Sequence, residues 1–299
     1  MKHLLSLKDW SKEDISEAII RADRLKRNKK HSEILKGKTL LMLFAKPSLR
    51  THISFDVAMN KLGGHAIYYD LSHSTLGKKE SIKDFSKVIS RYVDVVMARL
   101  YEHSDIEELA KYSKVPVING LTNMYHPCQA LADFMTIKEK LGRLHGKTVA
   151  FLGDANNNVA HSLILEGERT GTEIIISSPN KHDYLPDPRA VVKSRYIYIE
   201  NPKEAVKNAD IIYTDTWMSY QIPKTQEKRR VKDLKPYQVN SKLFNINPKA
   251  YFMHCLPAKR GQEVTDDVID SHRSIVYQQA ENRMWSEMAI LLKCLGARG

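Results

Sequence analysis

The chain reads as an α/β protein of two domains, each a mainly parallel sheet flanked by helices, joined by interdomain helices. Three observations predict this. At 299 residues the chain is long enough for two domains of ordinary size, each with its own core. Short apolar runs of strand type alternate with amphipathic runs of helical type, the pattern of parallel strands with helices on the sheet faces. The alternation stops at Gly142, after a long helix-like run, and starts again at Lys147, so there are two series. The expected division is 1–141 and 142–279, with a C-terminal helix, 280–299, packing back onto the first domain.

In the first series, Ile15 to Lys30 reads as an amphipathic helix with Ile15, Ala18, Ile19, Ala22 and Leu25 on one face, and with Ser11 and Asp14 as capping residues before it. Lys38 to Phe44 is a nearly continuous apolar run, which reads as a buried strand closed by Pro47. Phe55, Ala58, Met59 and Leu62 then recur at helical spacing until Gly63-Gly64 ends the pattern. Ala66 to Tyr69 is a strand, Ser81 to Tyr92 a helix, and the β-branched run from Val93 to Met97 a strand ending at Arg99. A helix near Ile106 to Tyr112, a strand at Val115 to Ile118 and a helix from Cys128 to Leu141 complete the series.

The second series opens with a strand at Lys147 to Leu152. The turn Gly153-Asp154-Ala155-Asn156-Asn157-Asn158 follows it and precedes a helix starting near Ala160. The turn is of the kind that binds a nucleotide, but it lacks GxGxxG and has asparagines where a dinucleotide site needs glycines, which argues against a nicotinamide cofactor. Strands are expected at Ile174 to Ser177, Ile197 to Ile199, Ile211 to Tyr213 and Tyr251 to Met253, and a last amphipathic helix at Ala280 to Leu295. No cofactor is called for.

Apolar content of 42% and charged content of 27% exclude a largely disordered chain. No apolar run approaches the roughly 20 residues needed to span a bilayer, and the first ten residues lack the apolar stretch and cleavage site of a secretory signal. A cytoplasmic protein without a membrane partner is expected. Cys128, Cys255 and Cys294 are too few and too scattered for a disulfide framework or a zinc site, so no metal is implied. The net charge of +12 invites a nucleic-acid reading. However, the basic residues are spread along the chain, and the densest cluster, Lys224 to Arg230, contains a Glu and no aromatics, so a solvated helix face explains it.

Three segments carry chemistry. Ser48-Leu49-Arg50-Thr51 lies between a strand and a helix, where unpaired backbone N–H groups and the positive dipole end meet two hydroxyls and a guanidinium fork. Those groups suit a phosphate, although Ser48 and Thr51 could equally cap the helix while Arg50 pairs with a carboxylate. Strand ends of such sheets collect ligands, and Arg99 and the segment after Ile118 share that edge. In the second segment, Pro127 sits where a helix enters, so His126 and Gln129 could share its first turn and face one ligand, or His126 could be a cap. In the third, His254-Cys255-Leu256-Pro257 ends a strand with two reactive side chains; its plainer explanation is a buried thiol beside a structural histidine.

Taken in order, five segments resemble the carbamoyltransferase family. Ser48-Leu49-Arg50-Thr51 is similar to its carbamoyl phosphate loop and His126 to Asp133 to its second signature; Asp215-Thr216-Trp217-Met218-Ser219, His254 to Pro257 and Gln279 to Arg283 resemble the ornithine branch. The resemblance covers nearly the whole chain. It implies transfer of a carbamoyl group from carbamoyl phosphate to ornithine, giving citrulline and phosphate. It also implies that Ser48, Leu49 through its backbone, Arg50, Thr51, Arg99, His126, Gln129 and Arg283 hold carbamoyl phosphate. Asn158, Asp215 and Ser219, with Tyr220 in the same loop, would hold the amino acid. Cys255 and the Leu256 carbonyl would lie between the two substrates, among the groups that hold carbamoyl phosphate. Arg99, His126, Asp215 and Cys255 would be catalytic, and closure of the two domains would exclude water. Lys79 resembles a loop that trimers of the family reach into a neighbour's site, and a homotrimer follows by analogy.

The chain departs from the pattern at three places. Ser219-Tyr220-Gln221 stands where ornithine enzymes usually have Ser-Met-Gly, and Gln221 resists backbone angles that glycine allows. Leu49 replaces a common Thr, and His52 replaces the usual Arg. Leucine there also resembles the acetylornithine and succinylornithine branches, so a modified ornithine, or putrescine, stays open as the acceptor. A catalytically silent binding relative is the alternative from another class.

Overall fold

The computed structural model describes residues 2–28, 32–72, 80–219 and 222–297. The chain divides into two compact units, Met1–Met135 with Glu281–Gly299, and Thr136–Ala280.

The first unit runs α1 (Lys12–Asn28), β1 (Thr39–Phe44), α2 (Leu49–Lys61), β2 (His65–Asp70), α3 (Ile82–Ile89), β3 (Val95–Arg99), α4 (His103–Tyr112), β4 (Val117–Leu121) and α5 (Pro127–Leu141), the last of which continues past the unit's end. Its strands are all parallel, in the order β2-β1-β3-β4. β1 from Leu40 and β3 up to Ala98 are apolar because helices cover both faces of central parallel strands. Leu41, Leu43, Val96 and Ala98 pack with Ile106 and Leu109 of α4 and with Ile89 of α3. Each buried Leu, Ile or Val there contributes roughly 1.5–3 kcal/mol relative to exposure. The segment before α1 is tied to β4: Leu4 donates to the Val117 carbonyl at 2.9 Å, and Asn119 donates back to the Leu4 carbonyl at 2.8 Å.

The second unit contains β5 (Thr148–Leu152), α6 (Asn158–Thr170), β6 (Glu173–Ser177), β7 (Ile197–Tyr198), α7 (Pro202–Val206), β8 (Ile211–Thr214), α8 (Glu227–Leu234), α9 (Ser241–Phe244), β9 (Tyr251–Met253), α10 (Asp266–Ile269) and the start of α11 (Val276–Cys294). The five parallel strands lie in the order β7-β6-β5-β8-β9. One core cluster joins Ala150 and Leu152 of β5, Ile212 of β8 and Phe252 of β9 to Ala205, Leu243, Phe244 and Val268 from the short helices. Among the described residues, no helix is long and apolar enough to cross a membrane.

The two predicted series of strands and helices are present, with local differences. α2 starts at Leu49, well before its apolar periodicity, because Ser48 takes the N-cap with extended angles (φ −160°, ψ 109°) and accepts from the Thr51 N–H at 3.4 Å. α7, α9 and α10 are four or five residues long, too short to show a helical period. The basic run is not one solvated face. Its last member, Arg230, is 3% exposed on the buried side of α8, together with Leu234 four residues later.

Candidate active site

In the first unit the topology gathers several candidates at the carboxyl ends of the strands. β1 pairs with β3 so that Phe44 stands opposite Arg99, and Ala45 donates to the Arg99 carbonyl at 2.9 Å. The turn after β1 is thereby set beside the end of β3. Ser48 caps α2, and its hydroxyl lies 3.1 Å from that of Thr51. Leu49 exposes its side chain (72%), so its backbone is the part that can face a ligand at the helix start. His126 directly precedes α5, and its carbonyl accepts from Gln129 at 3.1 Å and Ala130 at 3.2 Å, so it opens the helix as a cap residue does. Gln129 follows in the first turn, as Pro127 at the helix entry predicted.

Arg283, on α11, joins these elements. Its Nη1 donates to Gln129 Oε1 at 3.0 Å and its Nη2 to Thr51 Oγ1 at 3.4 Å. The same guanidinium holds Glu287 Oε1 through Nε at 3.0 Å and Nη2 at 2.6 Å. Gln129 in turn donates to Asp133 Oδ1 at 2.8 Å. A hydrogen-bonded chain therefore runs from Ser48 through Thr51, Arg283 and Gln129 to Asp133. Thr51, Arg99, His126, Gln129 and Arg283 are all buried.

The charges are unbalanced toward positive. Burial lowers the pKa of His126 well below the ordinary 6.5, and the nearby Arg283, Arg99 and Lys46 lower it further, so its imidazole is neutral at pH 7. Burial and Arg99 bring Lys46 down to about 8, with its ammonium 4.9 Å from the centre of the Tyr101 ring. Burial pushes Glu287 up to about 7, against the pull of Arg283. Arg283, Arg99 and Lys46 outnumber the two buried carboxylates, Glu287 and Asp133, and the positive balance suits an anion such as a phosphate.

The second unit brings together a different set. β8 and β9 are neighbours, with Tyr213 opposite Met253, so Asp215 and Cys255 emerge side by side, and the Cys255 thiol donates to Asp215 Oδ1 at 3.1 Å. Burial raises the proton affinity of Asp215, while His254, the Cys255 bond and the Thr216 N–H oppose it. His254 Nδ1 accepts from the Leu256 N–H at 2.8 Å, which puts the proton on Nε2, 3.3 Å from Glu263 Oε1. Glu263 is fully buried and also accepts from the Lys259 N–H at 2.5 Å. Ligand atoms of Asp215, His254 and Cys255 lie within 4.8 Å of one another. Both nitrogens of His254 are engaged, however, so the trio is a hydrogen-bonded cluster and not a set of metal ligands. Leu256 holds the turn with φ +57°.

Asn158 is the first residue of α6, which Asn157 caps by accepting from Val159 and Ala160, each at 2.9 Å. β5 and β8 are adjacent, with Leu152 opposite Thr214, so the turn bearing Asn158 and the segment from Asp215 to Ser219 leave neighbouring strands. Lys79 and Tyr220, like Gln221, lie outside the described residues. Cys255 is half-buried, whereas Cys128 and Cys294 are buried thiols, pushed up by burial.

Sequence reasoning missed the residues behind the site. Glu287 and Asp133 follow Arg283 and Gln129 by four residues on a helix, a spacing that could have paired them. Lys46 lies in the turn between β1 and Ser48, and its burial has no signal in the local sequence. Glu263 gave no local signal, because its bond to His254 spans a loop.

Two family models match the chain: the carbamoyl-P binding domain of aspartate/ornithine carbamoyltransferases over residues 2–139, and the Asp/Orn binding domain of the same enzymes over residues 145–294. The ornithine carbamoyltransferase of Archaeoglobus fulgidus is 47% identical over 305 residues, covering 99% of this chain and 98% of the relative. The anabolic ornithine carbamoyltransferase of Pyrococcus furiosus is 46% identical over 309 residues, covering 99% of this chain and 96% of the relative. Among solved structures, an ornithine carbamoyltransferase from Pyrococcus furiosus superposes with a TM-score of 0.93 at 45% identity, over 100% of this chain and 98% of the other. One from Thermus thermophilus gives 0.91 at 38% identity, over 99% of each chain.

Proposed function

Because the chain belongs to the aspartate/ornithine carbamoyltransferase family over nearly all of its length, we propose that it transfers the carbamoyl group of carbamoyl phosphate to the side-chain amine of L-ornithine, giving L-citrulline and phosphate. The observation that carries the reading is the hydrogen-bonded chain from half-buried Ser48 through buried Thr51, Arg283 and Gln129, in a surplus of positive charge. It supplies hydroxyl, guanidinium and helix N-terminal donors to one anion.

In this reading the first domain, 1–141 with the helix 280–299, takes carbamoyl phosphate. Ser48, Arg50, Thr51, Arg283 and the Leu49 backbone hold the phosphate, and Gln129 binds the carbamoyl amide. Arg99, neutral His126 and Thr51 donate to the carbamoyl oxygen, where charge develops as the amine attacks. The second domain, 142–279, takes ornithine through Asn158, Asp215, Ser219 and Tyr220. The attacking amine must be neutral, and Asp215, with its raised proton affinity, is the group suited to receive the ammonium proton. The Cys255 thiol and the Leu256 carbonyl orient the amine. Arg50 and Arg283 neutralise the departing phosphate, and no covalent intermediate is needed.

The biosynthetic direction is supported by the relative named anabolic. A cytoplasmic homotrimer completes the proposal, with Lys79 reaching a neighbouring site. Exposed apolar side chains support self-association: Ile53 and Val57 on α2, and Ile67 and Tyr68 on the edge strand β2. The departure at Leu49 keeps acetylornithine and succinylornithine as second candidates.

The test is carbamoyl transfer to ornithine, acetylornithine, succinylornithine, putrescine and aspartate. Turnover with ornithine is expected. Preference for another amine would move the substrate and keep the reaction, and silence across the panel would favour a binding relative.

A further inference from the structure

We propose that Arg230 is a positioning residue for the acceptor: it clamps the Asp215–Ser219 segment to the turn bearing Asn158, and so sets how tightly and in what pose the amino acid binds. The inference rests on the proposed function and adds a residue that the reading above leaves on a basic helix.

Three contacts carry it. The Arg230 Nε donates to the Trp217 carbonyl at 2.9 Å, midway along the segment from Asp215 to Ser219. Its Nη2 pairs with Asp154 Oδ2 in the turn after β5. Its face lies over the Tyr184 ring at 4.8 Å. Arg230 and Asp154 are 3% and 2% exposed, so no solvent competes for either group.

Each contact is passed on to a residue of the acceptor site. The Asp154 carbonyl accepts from Asn157 Nδ2 at 2.6 Å, and Asp154 Oδ1 from the Asn156 N–H at 3.1 Å. Asn157 caps α6, which fixes Asn158 as its first residue. On the other side, Gly153 approaches Trp217 so closely that a Cβ would sit 3.0 Å from the indole Nε1. Tyr184 is itself held by Asp233 at 2.9 Å, and its carbonyl accepts from Ala155 at 3.0 Å. One guanidinium thus spans both segments proposed to hold ornithine.

A purely structural role is the competing explanation. Replacing a buried ion pair by apolar side chains of similar volume is often neutral or stabilising, so stability alone gives little reason for charge here. A planar fork that donates in two directions while stacking on a ring fixes geometry in a way an ammonium does not.

Two variants test this: Arg230→Lys, which keeps the charge and loses the fork, and Arg230→Met combined with Asp154→Leu, which removes both charges. The measurements are KM and kcat for ornithine, the dissociation constant for carbamoyl phosphate, and the melting temperature. Loss of one or two charge-assisted hydrogen bonds should raise the ornithine KM on the order of tenfold to a hundredfold. Carbamoyl phosphate binding should stay unchanged in both variants. An ornithine KM equal to wild type in both variants, with only the melting temperature altered, would overturn the positioning role and leave the function intact. Equal losses for both substrates would also overturn it, because they mark general disorder. A wild-type protein silent with every amine of the panel would overturn the function and this inference with it.

Discussion

Arg283 serves two masters, a buried carboxylate and the proposed phosphate, and a pair of variants separates them. Arg283→Met leaves Glu287, which is 0% exposed, without its counter-ion. Breaking a buried pair from one side costs about 3–5 kcal/mol. Glu287 has an escape, since burial already pushes its pKa up to about 7 and removing Arg283 pushes it further. The native state then holds a proton that the unfolded state, with an ordinary carboxyl, has released. Stability of the variant must therefore fall as pH rises above the unfolded pKa, by about 1.4 kcal/mol per unit until the native group ionises. Adding Glu287→Leu removes the carboxylate and should recover most of the lost stability and abolish the extra pH slope. Activity should behave differently. If the guanidinium contacts the phosphate, both variants lose kcat/KM on the order of 100- to 1,000-fold, or about 2.7–4 kcal/mol of transition-state stabilisation. Urea unfolding at pH 6 and pH 8 reads the first effect, and citrulline formation at saturating ornithine reads the second. Recovery of turnover in the double variant would refute the phosphate role and reduce Arg283 to a partner of Glu287.

The other expectations are simpler. Arg50 is half-buried on the first turn of α2, so Arg50→Ala should abolish turnover with little change in melting temperature; near-normal rates would remove the phosphate-loop assignment. Cys255→Ser should lower kcat on the order of 100-fold by misplacing the amine while leaving the melting temperature close to wild type, and a stability loss without a rate loss would make the thiol structural. His126 stays neutral in the fold, so the unfolded chain takes up a proton below about 6.5 that the native state refuses, and stability falls as pH drops through that value. His126→Asn should lessen that slope between about pH 5 and 6.5, leaving the share of His3 and His103, which burial also lowers; an unchanged slope would show that His126 carries none of it. Gly153 has φ +113° against the Trp217 ring, so Gly153→Ala should cost about 1–3 kcal/mol, read as a lower melting temperature; a melting temperature equal to wild type would refute the steric reading.

Much of the fold was legible because parallel strands buried on both faces leave plain apolar runs, as Leu40 to Phe44 and Val149 to Leu152 do. The start of α2 was legible too, since Ser48 to Thr51 reads as the place where a helix begins and Ser48 caps it. The short helices were harder, because α7, α9 and α10 have no room for a helical period. In the candidate site, the groups near strand ends were readable one by one. What tied them together was not, since the bond from Arg283 to Gln129 joins residues 154 apart in sequence. Arg230 misled for the opposite reason: local composition marks a solvated run, and the partners that turn this one arginine inward, Asp154, the Tyr184 ring and the Trp217 carbonyl, all lie outside that run.

The unit that begins at the N-terminus also contains the last residues of the chain, and Arg283 closes its hydrogen-bonded network. Translation therefore delivers the Ser48 loop first and its guanidinium partner only after the whole intervening unit has been made. A nascent chain halted before α11 would carry Thr51 and Gln129 without the group that links them. Completion of this network is thus coupled to synthesis of α11, and chains halted before that helix would lack the guanidinium that joins Thr51 to Gln129.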